Sequence, residues 1–293
     1  MNIAILSRGY SLYSTQSLLK AGEARNHNME VLDPQHCTLA VEHGEPKLYF
    51  RDEVVNDLHA VIPRIGASHT FYGANVVRHF QSMNVFSTVK AHGILQSRDK
   101  WRSFQVLAAS KVAVPNTALV DYSDYELQLK RFPSGPIIIK VLEGTHGHGV
   151  ILAESHEKAL PIIETLLTGK QRFVVQEYIE ESNGCDIRAI VVDGVVVAAM
   201  KRQSKDGDFR SNLHRGGSSS EIKLSHDEER SAIRAAKALK LGVCGVDILQ
   251  SERGPLVLEV NSTPGLEGIE TTTGRSVSKS IIGYIERNKP RGS

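Results

Sequence analysis

The rhythm of the apolar runs changes once along the chain, and that change limits the folds open to it. Through the first third, short apolar segments alternate with helical patterns. Residues 2–7 read as a buried strand, 13–25 as a helix, 29–33 as a second strand, 59–64 as a third, 70–83 as a helix and 85–86 as a short closing strand. Strand–helix–strand alternation implies a parallel sheet with helices on its faces. A helix follows over 98–110, and Pro115 marks the connection beyond it. From there the apolar runs come in pairs across short turns, the pattern of antiparallel sheet. The expected fold class is α/β in the first part and α+β in the rest.

Within that second part, 117–120 reads as a strand, and Ser123 with Glu126 makes a capping-box pair that opens a helix to about residue 131. Segments 136–142 and 150–153 form a hairpin around a glycine-rich turn, 155–167 is a helix and 173–178 a strand. Segments 186–192 and 195–202 flank Asp193-Gly194, a strong hairpin signal. Residues 205–220 are polar and read as a loop. Ser225 and Glu228 form a second capping box, whose helix stops at Gly242. Segments 243–250 and 255–260 make another hairpin, and 276–287 is a final helix.

Composition excludes several function classes. With 35 Lys and Arg against 33 Asp and Glu, the net charge is +2. A chain so nearly neutral is not built around an electrostatic footprint for DNA or RNA. The cysteines are Cys37, Cys185 and Cys244, odd in number and far apart, which fits a reducing compartment rather than a disulfide framework. The start, MNIAILSRGY, has no basic leader region. No stretch approaches the ~20 apolar residues of a membrane span. The expectation is a cytoplasmic protein with no membrane and no direct nucleic-acid partner.

Acids inside apolar runs are the clearest candidates for chemistry. Asp247 sits in VCGVDIL, and Glu259 with Asn261 in LVLEVN. Burying a carboxylate is costly unless it is paired or metal-bound. Glu259 and Asn261 are two apart in a strand and share a face, with Asp247 on the partner strand of the hairpin. Two carboxylates and an amide oxygen suit Mg²⁺ or Mn²⁺ rather than zinc. Lys140, alone in PIIIKVLEG, is followed by Gly144, Gly147 and Gly149, whose backbone can approach phosphate oxygens closely. At the end of a strand, Glu177 beside Tyr178 has the placement either to meet an adenine and ribose or to lie in an ordinary surface turn. Asp186 and Arg188 share a strand face, and Arg202 ends the neighbouring strand with a guanidinium suited to phosphate or carboxylate. Arg210, Ser211 and Asn212 lie in the polar loop. The turn after the first strand, Ser7-Arg8-Gly9-Tyr10, lacks a dinucleotide fingerprint.

The order of these motifs resembles an ATP-grasp ligase, and more narrowly the RimK-type glutamate ligases that modify a small-subunit ribosomal protein. The residues that carry the resemblance are AILSR at 4–8, VIPRIG at 61–66, RDK at 98–100, EGTHGHGV at 143–150, QEYI at 176–179 and GCDIR at 184–188. GDFRSNLHRGG at 207–217, GVDIL at 245–249 and EVNSTPGLEGIE at 259–270 continue it, so essentially the whole chain is covered. The resemblance implies a Rossmann-like pre-ATP-grasp domain over 1–96, a central ATP-grasp subdomain over 97–172 and a C-terminal subdomain with the metal site over 173–293. It implies ATP contacts at Lys100, Lys140, Gly144, Gly147, Gly149, Glu177, Tyr178, Asp186, Arg210, Ser211 and Asn212. Two Mg²⁺ or Mn²⁺ ions would sit on Asp247, Glu259 and Asn261, with Arg202 and Lys140 facing the transferred phosphate. L-Glutamate would be the amine donor, the C-terminus of an acceptor protein the carboxylate, and the assembly a homo-oligomer, a tetramer. His146 and His148 depart from the small, amide or apolar residues usual in that glycine loop. A ligase that joins an amino acid to a carrier protein, peptide or cofactor stays open, as does a non-catalytic nucleotide sensor.

Overall fold

The computed structural model describes residues 1–121, 124–142, 149–205 and 217–288. Its first sheet follows the alternation. β1 (Asn2–Leu6), α1 (Tyr13–Glu23) and β2 (Asn28–Leu32) make a parallel unit in which Ile3, Ile5 and Leu6 are fully buried. An antiparallel meander comes next, β3 (Cys37–Glu42), β4 (Glu45–Phe50) and β5 (Glu53–Val54), which the sequence reading did not foresee. The chain then returns through β6 (Ala60–Pro63), α2 (Thr70–Ser82) and β7 (Phe86–Ser87). The parallel order is β2-β1-β6-β7. β1 and β6 are near-continuous apolar runs because helices cover both faces of such a sheet.

The helix expected over 98–110 is α4 (Lys100–Ala109), and a separate helix, α3 (Ala91–Arg98), precedes it. Asp99 divides them. Its backbone is extended, and its carboxylate accepts from the Arg102 amide at 3.0 Å. A residue that caps well at a helix start is a poor interior residue, so the chain bends there.

Next come β8 (Thr117–Leu119), α5 (Tyr125–Leu129), β9 (Ile137–Val141), β10 (Val150–Ala153), α6 (His156–Thr168) and β11 (Phe173–Glu177). The four strands form an antiparallel sheet, order β10-β9-β11-β8, over a hydrophobic core of its own that includes Ile137, Ile139, Ile163 and Phe173. The capping box expected at the start of α5 rests on Ser123. Asp124, in the left-handed region, precedes Tyr125 and makes no side-chain cap, while Ser123 lies outside the described residues.

The last sheet has the order β14-β13-β12-β15-β16. Its strands are β12 (Cys185–Val192), β13 (Val195–Gln203), β14 (Ser218–Glu221), β15 (Val243–Ser251) and β16 (Gly254–Asn261). Asp193 and Gly194 both take positive φ, 53° and 75°, the turn whose twist suits a hairpin. β14 removes the end of the expected polar loop by pairing Ser218–Glu221 with β13. α7 (His226–Ala238) opens with the predicted capping box of Ser225 and Glu228. α8 (Glu267–Thr273) and α9 (Val277–Asn288) complete the chain's described part. This sheet and the first share one continuous core, and Arg64 and Arg98 tie them together through the loop after β16. Among the described residues, no helix is long and apolar enough to cross a membrane.

Candidate active site

Asp247 and Glu259 stand directly opposite each other across β15 and β16, and Gly245 stands opposite Asn261. Cross-strand partners and alternate residues share a face, so Asp247, Glu259 and Asn261 meet on one side of the hairpin. Asp247 is buried, Asn261 half-buried and Glu259 exposed. Among the described residues no cluster of three or more His, Cys, Asp and Glu forms a metal site. The set is therefore two carboxylates and an amide, a hard-oxygen donor set.

Register also explains the arginines beside it. Arg188 on β12 lies opposite Asp247, and Asp186 lies opposite Arg202 on β13. Arg188 grips Asp247 with two bonds, Nε at 2.8 Å and Nη2 at 2.6 Å. Arg202 grips both oxygens of Asp186 and reaches Asp247 at 3.1 Å. The result is one network of two cations and two anions, with Arg202 only 3% exposed. Burial favours the neutral acid at Asp247, but Arg188 and then Arg202 outweigh it and hold the carboxyl well below the usual carboxylate range. Burial likewise works against the Arg202 charge, and Asp247 with Asp186 raises that guanidinium above its ordinary value. Asp186 and Arg202, expected at ATP and at the transferred phosphate, are ion-paired with each other. Arg188 was noted only as sharing a face with Asp186. The i, i+2 spacing in an apolar strand was the signal for a second buried ion pair.

The donor set fits a divalent cation. Asp247 is held ionised, Glu259 makes no ion pair among the described residues, and Asn261 adds a neutral oxygen. Lys140 approaches from the central sheet. It lies on β9 between Val150 and Val174 and is half-buried. Burial pushes its amine down to about 8. The Glu259 charge opposes that shift and the Lys100 charge adds to it, so both lie within electrostatic reach of Lys140. Lys100, at the start of α4, also donates to the Leu142 carbonyl at 3.2 Å.

Glu177 ends β11 with its carboxylate occupied. It accepts from the Asn116 amide at 2.7 Å, from Asn116 Nδ2 at 3.0 Å and from Arg253. Asn116 was not foreseen, because it lies in a connection with no pattern of its own. Tyr178 follows, half-buried, its hydroxyl pKa raised by burial and by Glu180. Gly149 has φ +81°, and a Cβ there would stand 3.1 Å from Val141 Cβ, so the hairpin needs glycine at this point. Gly144, Gly147, His146, His148, Arg210, Ser211 and Asn212 lie outside the described residues.

Comparison with known proteins gives this geometry its family. A family profile described as RimK PreATP-grasp domain matches residues 1–94, and one described as RimK-like ATP-grasp domain matches 97–285. The chain belongs to the RimK-like ATP-grasp family. It is an ATP-dependent ligase. It is 48% identical over 293 residues to a probable alpha-L-glutamate ligase of Halorhodospira halophila, covering 100% of this chain and 97% of that one. It is 49% identical over 295 residues to a probable alpha-L-glutamate ligase of Vibrio atlanticus, covering 100% and 98%. Among solved structures, the ATP-grasp ligase PsnB complexed with minimal precursor superposes with TM-score 0.76 at 18% identity, covering 98% of each chain. D-cycloserine synthetase DcsG gives 0.72 at 19% identity, covering 98% of this chain and 99% of that one. At such identities those structures speak for the ATP-grasp fold alone.

Proposed function

We propose that the chain is an α-L-glutamate ligase that joins L-glutamate to the C-terminal carboxylate of a protein, with a small-subunit ribosomal protein as acceptor. Repeated addition would give an oligoglutamate tail. The donor is supported by the full-length likeness, at 48% to 49% identity, to proteins named probable alpha-L-glutamate ligase. The ATP site is supported by one observation above the others, the pairing of Asp247 with Glu259 beside Lys140.

A carboxylate is a poor acyl donor at neutral pH. Transfer of the γ-phosphoryl group of ATP to a carboxylate oxygen makes an acylphosphate and releases ADP. The glutamate amine then attacks the acyl carbon, the C–O bond to phosphate breaks, and the amine gives up a proton. The protein's share is positioning and charge neutralisation. Asp247, Glu259 and Asn261 would hold two Mg²⁺ or Mn²⁺ ions, which would supply charge neutralisation to the phosphates. Lys140 meets the phosphates from the central sheet, and Lys100 adds a second positive charge there. Arg202 acts through Asp186 and Asp247, the carboxylates that it orients. Glu177, Tyr178 and Gly149 border the nucleotide, together with Gly144, Gly147, Arg210, Ser211 and Asn212. The functional units proposed are 1–96, 97–172 and 173–293, assembled as a homotetramer in the cytoplasm.

The test is ADP release with Mg²⁺ and ATP across single amino acids, followed by mass spectrometry of the products. L-Glutamate-dependent ADP with glutamate-sized additions to a ribosomal protein is the expected result. ADP release with another amino acid and not with glutamate would remove the glutamate assignment and keep the ligase.

A further inference from the structure

We infer that the crevice between Arg8 and Arg64 binds the carboxylates of a glutamyl unit, either free L-glutamate or the acidic end of the chain being extended. This rests on the glutamate-ligase function proposed above and gives it a place in the fold. In the order β2-β1-β6-β7 the chain leaves β1 toward one side and returns on the other, so the connections diverge between β1 and β6. Open parallel sheets bind ligands outside the carboxyl ends of the strands at that point of divergence. Arg8 lies two residues beyond β1, and Arg64 directly follows β6. Between them is a cavity of about 300 Å³, lined also by Gln35, His69 and Tyr72. That volume is at the small end of ligand pockets, the size for an amino acid rather than a nucleotide.

The charge of the crevice selects the ligand. No acidic residue lines it. Among the described residues, Arg8, Arg64 and the neighbouring Arg98 make no ion pair. Arg98 Nε is buried with no hydrogen-bond partner among them. Burial, and then the Arg98 charge, push Arg64 down to about 10 against the opposing charge of Glu270. Arg8 is oriented from behind by His69, whose other ring nitrogen faces the Gln35 amide at 3.1 Å. A guanidinium takes a carboxylate in a two-bond fork. The amine donor L-glutamate keeps two carboxylates through the reaction, and two arginines face the cavity.

The crevice is also joined to the reacting face. Arg64 donates to the Pro264 carbonyl at 2.7 Å. Arg98 donates to Thr263 Oγ1 at 2.7 Å and to the Ile65 carbonyl at 2.8 Å. Pro264 and Thr263 follow Asn261 in the chain, and the Glu259 charge bears on Arg98. A ligand anchored on Arg8 and Arg64 therefore lies next to the loop that leaves the metal strand.

The experiment is steady-state ADP release by the complete enzyme at varied L-glutamate, varied glutamyl-peptide acceptor and varied ATP, for wild type, Arg8→Gln and Arg8→Lys. Arg8 is exposed, so its replacement leaves the core intact. Arg8→Gln is expected to raise one carboxylate KM by about tenfold to a hundredfold, the worth of a charge-assisted hydrogen bond, with the KM for ATP unchanged. Arg8→Lys recovers part of the loss. A rise for L-glutamate assigns the crevice to the amine donor, and a rise for the peptide assigns it to the growing chain. Unchanged KM for both, in an enzyme that turns over, overturns the inference. If wild type turns over no glutamate, the ligase function has failed separately. Calorimetric titration of L-glutamate then decides the crevice: binding lost in Arg8→Gln supports it, and equal binding or none in wild type overturns it.

Discussion

On the C-terminal sheet, Arg188 and Arg202 each grip a carboxylate of the same sheet, whereas Arg8, Arg64 and Arg98, beyond the N-terminal sheet, meet carbonyls, a hydroxyl and a histidine. A buried cation is costly unless an anion accompanies it. In the first region the chain supplies that anion twice, from Asp186 and Asp247. In the second region no ion pair forms among the described residues, Glu259 and Glu270 act only from a distance, and a cavity adjoins the arginines. The first set positions groups of its own sheet, and the inferred part of the second is to take a substrate's charge.

Removing one arginine from each region is the sharpest way to break this contrast. Arg202→Met takes a buried guanidinium away from both Asp186 and Asp247 and should cost about 3–5 kcal/mol of unfolding free energy by urea titration. Arg64→Met removes a cation that makes no ion pair among the described residues and should cost about 1 kcal/mol or less, the worth of its bond to Pro264. Equal losses would erase the distinction. Glu259→Gln tests the reacting face itself. Turnover should fall about a hundredfold or more, because metal-ion neutralisation of the phosphates is worth several kcal/mol. The melting temperature should hold, since Glu259 is exposed.

A smaller effect is expected from pH. The Lys140 amine, pushed down to about 8, is charged below that pH and neutral above it. ATP affinity should weaken several-fold as pH rises through about 8, and Lys140→Arg should flatten the profile. Stability moves the other way. Between about 8 and the ordinary 10.5, the unfolded chain holds a proton that the folded chain has released, so this group adds stability as pH rises across that window. The smallest change is Gly149→Ala. Positive φ and the close Val141 Cβ should together cost about 1 kcal/mol, read as a lowered midpoint in urea.

The parts legible in sequence were those whose signals are local. Asp193-Gly194 gave its hairpin, Ser225 with Glu228 gave the start of α7, and the acids inside apolar runs gave the facing pair on β15 and β16. The meander β3–β5 escaped because its strands are short and half polar, although His43-Gly44, both with positive φ, marks its first turn. Asp99 looked like a polar helix residue until its cap on α4 was visible. The arginine crevice had no local pattern, because positions 8, 64 and 98 are brought together only by the order of the parallel strands.

The central claim is that a carboxylate is activated by phosphoryl transfer and then captured by glutamate. It is tested most directly with a glutamyl peptide carrying ¹⁸O in its C-terminal carboxylate, incubated with enzyme, Mg²⁺, ATP and L-glutamate. The inorganic phosphate released should carry one ¹⁸O for each amide bond formed. Amide formation with unlabelled phosphate would contradict the acylphosphate, and with it the assignment of the Asp247–Glu259 face to that chemistry.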